Sequence, residues 1–109
     1  MILVPRHTTH VGQGSFVTLP IDVSAFDRIQ LYLWRGNLVG TAPTIMFHLQ
    51  QSSDKDRWSD LSVVDPGAFT EGSYAHDLTF QYLRLMVRCS ATDQVSTCYA
   101  YGFLEKREA

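Results

Sequence analysis

The chain has 109 residues, of which 45% are hydrophobic and 18% charged, and a formal net charge of −2 at pH 7. That length accommodates one domain with one core, and the composition excludes a disordered chain, which would be poorer in apolar residues and richer in charge. Nine Lys and Arg against eleven Asp and Glu give no electrostatic footprint for nucleic acid or an anionic membrane, and basic residues gather only at Lys106-Arg107.

The opening MILVPRHTTH has three apolar residues after Met1 before Pro5 and Arg6 intervene. This is too short for a signal-peptide core or a membrane span, so the expectation is a soluble chain without a recognisable export signal. Residues 1–13 read as an N-terminal arm and 14–109 as the folded domain. Strand candidates then recur about every ten residues: Ser15 to Leu19, Arg28 to Trp34, Thr44 to Gln51, Trp58 to Val64, Tyr74 to Thr79, Tyr82 to Arg88 and Thr97 to Leu104. Between them stand Gly12 and Gly14, Pro20, the Gly36 to Pro43 loop, the turn SSDKD, Asp65-Pro66-Gly67, Glu71-Gly72 and Ser90 to Gln94. Only Ile21 to Phe26, IDVSAF, suggests a single helical turn. The fold class is therefore all-β, a single antiparallel β-sandwich of jelly-roll or discoidin-like type with about seven or eight strands.

Period-two alternation assigns the faces. Ile29, Leu31 and Leu33 point inward, as do Ile45, Phe47 and Leu49, and Leu83, Leu85 and Val87. The last strand is ambiguous, because Tyr99, Tyr101 and Phe103 compete with Cys98, Ala100, Gly102 and Leu104. Burying three aromatics removes more apolar area from water, so the aromatics are expected in the core. In a hairpin joining Arg88 to Thr97, that choice puts Cys89 on the core face and Cys98 outside, with no disulfide between them. If Cys98 faced inward, the thiols could sit opposite each other. Free thiols are the expectation for a chain without an export signal.

No motif supplies catalysis. His7 and His10 have the spacing of a helical metal site, but the Thr-rich flanks favour an extended segment with surface histidines. Asp54, Asp56 and Asp60 surround Trp58 in what could pass for a calcium loop, yet its glycine is missing and Trp58 takes a ligand position. No nucleophile elbow gathers Ser, His and Asp, and Gly12-Gln-Gly14 is too short for a phosphate loop. The reading is a non-enzyme without cofactor or metal.

Surface recognition remains. Tyr32, Trp34, Met46 and His48 are expected on one outward face of adjacent strands, where aromatic and Met side chains imply a covered surface. Arg84, Met86 and Arg88 form a second, more polar candidate.

The succession LPIDVSAFDRIQLYLW, GTAPTIMFHLQQSSDKDRW and TFQYLRLMVRC resembles small β-sandwich virion proteins of tailed bacteriophages. Thr41-Ala-Pro43-Thr44, Ser52-Ser53-Asp54, Trp58 and Tyr82 to Leu85 carry the likeness, which spans Gly14 to Leu104. Asp54-Lys-Asp56 departs from the usual Asp-Gly turn, and Met46 and His48 replace small polar residues. The resemblance implies a capsid decoration or cement protein on the virion surface, made in the host cytoplasm. It implies the major capsid protein as partner, and lattice symmetry suggests a homo-oligomer such as a trimer, with no nucleic acid or membrane. Discoidin-like sandwiches are a more distant likeness and suggest a carbohydrate-binding alternative, with Trp58 or Tyr74 stacking on sugar. A tail-associated accessory protein is the other alternative.

Overall fold

The computed structural model describes residues 1–106, so Arg107 and the last positions of the 14–109 range lie outside the described residues. Nine strands form in chain order: β1 (Ile2–Val11), β2 (Gly14–Val17), β3 (Ile21–Asp22), β4 (Arg28–Arg35), β5 (Ile45–Ser52), β6 (Ser59–Val64), β7 (Thr70–Asp77), β8 (Tyr82–Cys89) and β9 (Val95–Glu105). They build two antiparallel sheets. The first runs β1-β9-β4-β7 and the second β2-β8-β5-β6, with β3 also pairing β8. No helix forms among the described residues. IDVSAF, expected as a helical turn, is instead the short β3 followed by a turn closed by the Phe26 N–H on the Val23 carbonyl at 2.9 Å.

The core lies between the sheets. All nine residues assigned inward on β4, β5 and β8 are at most 1% exposed, as alternation on a half-covered sheet requires. The turn expected at SSDKD also forms, joining β5 to β6. Buried Ser52 there accepts the Asp54 and Lys55 N–H groups, while Asp54 Oδ1 accepts those of Asp56 and Arg57. Those donors hold the Asp54 carboxyl below its ordinary pKa. Lys55 takes φ of 68°, so this turn manages its left-handed position with side-chain acceptors in place of a glycine.

Two expectations fail. The N-terminal segment is not a free arm: Ile2–Val11 pairs along β9 as the edge of the first sheet, with Val4 2% exposed and directed inward opposite Ala100. Register shifts flank Val4, and His7 sits at φ 62°. The last strand is inverted relative to expectation. Ser96, Cys98 and Ala100 face the core at no more than 2% exposure, whereas Tyr101 is 38% and Phe103 54% exposed. The reason is space. β9 is flanked by β1 and β4, and a Cβ placed on Gly102 would already approach Ile29 Cδ1 to 3.2 Å and Leu3 Cδ1 to 3.4 Å. An interior filled from the other strands admits small residues there.

β8 and β9 do not form a hairpin either, since they belong to opposite sheets. Cys89 and Cys98 both point into the core as free thiols, and Cys89 Sγ lies 3.4 Å from Ser96 Oγ. Burial, reinforced by nearby Cys89, pushes the Cys98 thiol up to about 11.

Candidate functional site

The two outer faces of the sandwich carry the residues singled out in the sequence, but in a different grouping. β4 belongs to the first sheet and β5 to the second. Tyr32 and Trp34 therefore point away from one side of the molecule, and Met46 and His48 away from the other. The expected four-residue face does not exist, and each pair joins residues from elsewhere in the chain.

On the second sheet, cross-strand pairing sets Met46 beside Arg88, His48 beside Met86 and Gln50 beside Arg84. β2 continues the Met86 row with Val17, and β6 continues it with Val63. Val17-Met86-His48-Val63 thus crosses the whole sheet, its end residues 49% and 41% exposed. Below that row runs a polar chain. Arg84 Nε donates to Gln50 Oε1 at 2.8 Å, Gln50 Nε2 donates to Asp60 Oδ1 at 3.1 Å, and His48 Nδ1 lies 3.3 Å from the same oxygen. The Arg84 guanidinium lies 4.3 Å over the Trp58 ring, whose Nε1 donates to the Lys55 carbonyl. Met46, His48, Arg84, Met86 and Arg88, two separate groups in the sequence reading, are one surface.

On the first sheet, Tyr32 pairs with Tyr101 and Trp34 with Tyr99. Trp34 and Tyr99 stack with centroids 5.7 Å apart and 19° between planes, and Phe69 meets Trp34 edge-on at 6.3 Å. Arg6 reaches in from β1 to stand 4.4 Å over the Tyr99 ring, and the Tyr99 hydroxyl donates to Glu71 on β7. That hydrogen bond, with burial and the Glu71 charge acting the same way, raises the phenol above its ordinary pKa. Beside this cluster, an open hollow of about 440 Å³ is lined by Ile2, Pro5, Tyr32 and Tyr101 among others. Sequence reasoning missed Tyr99, Tyr101, Phe103 and Phe69 as surface groups. The alternation on β9 was visible; its direction was not.

The other candidates scatter. Trp58 sits on the second sheet's side, whereas Tyr74 lies on β7 of the first sheet and packs inward against the core, so no shared sugar-stacking site forms. His7 is exposed, but His10 turns inward and stacks on Phe16 at 5.6 Å, against the expectation of two surface histidines. Asp54 caps its turn while Asp60 serves Gln50. Among the described residues, no group of three or more His, Cys, Asp or Glu side chains could hold a metal ion.

No family model matches the chain, and no curated protein matches its sequence. Its fold does have a counterpart. The crystal structure of the PBSX exported protein XepA superposes with a TM-score of 0.77 at 14% identity, over 100% of this chain and 37% of that one. The chain thus spans little more than a third of that protein's length, and the likeness is one of fold.

Proposed function

We propose that this chain is a non-enzymatic structural protein of a tailed-phage particle, a capsid decoration protein that docks on the major capsid lattice through the outer face of its second sheet. The observation that carries this is the convergence of Met46, His48, Arg84, Met86 and Arg88 on one surface, continued at both ends by exposed Val17 and Val63. Support for the phage setting comes from the sandwich shared with a PBSX phage protein and from the sequence likeness to small virion proteins.

The chemistry is that of a contact surface. The Met and Val row supplies apolar area, and Arg88 and Arg84 supply planar donor forks for carboxylates and carbonyls of the lattice. Strands spaced by ~4.8 Å, about 27 Å long at β5 and β8 and shorter at β2 and β6, present roughly 400 Å² in projection, a modest area for one copy. Attachment through several linked copies raises avidity without further contacts. The sugar-binding alternative has little to stand on, because Arg84 covers the Trp58 ring and Tyr74 faces the core.

The test is cryo-microscopy and peptide mass spectrometry of purified particles carrying wild-type protein or the M86D/R88E variant. Wild-type density on the shell that disappears in a folded variant supports the proposal. Location in the tail refutes decoration, and absence from particles refutes the virion role.

A further inference from the structure

The proposed capsid contact leaves the first sheet's outer face without a role, although it is the more apolar of the two. Phe69 is 70% exposed, Phe103 54% and Tyr101 38%, and they flank the stacked Trp34 and Tyr99. Contiguous exposed aromatic surface on this scale marks an interface. Its charges are what identify the partner. Arg6 comes from one edge strand, β1, and Glu71 from the other, β7, and the two meet between those edges at the ring and the hydroxyl of the same Tyr99 on β9.

We propose that this face binds a second copy of the chain, sheet against sheet, about a two-fold axis running along the strands near Tyr99. That axis exchanges the β1 and β7 edges, so Arg6 of each copy meets Glu71 of the other. A surface with one positive and one negative group placed symmetrically about its centre is complementary to itself, which an isologous contact requires. Tyr99 holds both charged groups in place beforehand, reducing the ordering cost of association. Keeping the strands of the two copies nearly parallel gives the aligned sheet packing common in sandwiches, with layers ~10 Å apart. The flat sheet offers roughly 500 Å² in projection, and rings standing on it bring the accessible area toward the ~800 Å² per partner of a stable complex. The product is a dimer, in place of the trimer expected from lattice symmetry.

The experiment is sedimentation velocity of the purified chain over about 1 to 100 μM, without any capsid, so that its result is separate from the decoration proposal. Wild type is expected to dimerise. R6E sets two carboxylates against each other at both contacts, E71R sets two guanidinium groups together, and each variant weakens the dimer about tenfold or more. An equimolar mixture of the two variants restores association, because in the mixed dimer one contact pairs the two introduced residues, a carboxylate against a guanidinium, and the other pairs the native Arg6 of the E71R copy with the native Glu71 of the R6E copy. Y101E/F103E, altered only at exposed positions, gives a folded monomer by circular dichroism. A monomeric wild type, a dimer that survives Y101E/F103E, a mixture that stays dissociated, or a dimer abolished by M86D on the other face each overturns the proposal.

Discussion

The direction of β9 gives the sharpest stability test, because the two possible orientations predict opposite outcomes for the same pair of substitutions. Phe103 is 54% exposed and Ala100 1%. Full burial of a phenyl side chain is worth up to ~3 kcal/mol; with about half its surface already in water and no closed cavity left behind, Phe103→Ala costs about 1 kcal/mol. Ala100→Leu forces three further carbon atoms into a sealed interior on the same strand, β9, where even a methyl group on Gly102 would press against Ile29 and Leu3. Overpacking of that kind costs about 2–3 kcal/mol. At about 4–8 °C per kcal/mol for a domain near this size, the first variant melts some 5 °C below wild type and the second more than 10 °C below. Urea denaturation followed by tryptophan fluorescence measures both, at protein concentrations low enough to keep the chain monomeric. A loss of 3 kcal/mol or more for Phe103→Ala with Ala100→Leu tolerated would mean the aromatics are inside, and the reasoning on β9 would be wrong.

Three further outcomes follow from buried or paired groups. Burial depresses His76 below its ordinary 6.5, with Asp77 opposing, so the unfolded chain binds that proton more tightly; stability present above the unfolded value declines as pH falls from that value through the lowered folded one, and His76→Gln flattens the slope in thermal melts at each pH. Burial would raise the Asp65 carboxyl, but the Arg35 hydrogen bond, the Gly67 N–H and the Arg35 charge outweigh it and hold it low. Its contribution is complete above the usual carboxylate value and is lost as pH drops through the lowered one. With 32% of the Asp65 side chain exposed, Arg35→Ala costs about 0.5–1 kcal/mol at low salt and less in 1 M salt, as read by urea midpoints. Finally, Cys89 and Cys98 are buried and Cys98 is raised to about 11, so a thiol reagent at about pH 8 titrates neither in the native protein and both in denaturant; rapid native labelling would contradict the burial.

The inward faces of β4, β5 and β8 and the β5–β6 turn were legible from residue order alone, because period-two alternation and turn chemistry are local properties. What the sequence could not supply is which strand lies beside which. β5 and β6 are the one pair of strands consecutive in the chain that hydrogen-bond to each other among the described residues, and the connections from β4 to β5 and from β8 to β9 both pass between sheets. A reading that pairs neighbours in sequence therefore put Tyr32 and Trp34 on the same side as Met46 and His48, and β8 against β9. The orientation of β9 was likewise a tertiary matter. Its alternation is equally regular with either set inward, and the choice rested on the volume left by Ile29, Leu3 and their neighbours around Gly102. Local chemistry determined that this chain is a sandwich with apolar outer positions; only packing in three dimensions decided that those positions form two separate surfaces, one of arginine and methionine, the other of aromatic rings.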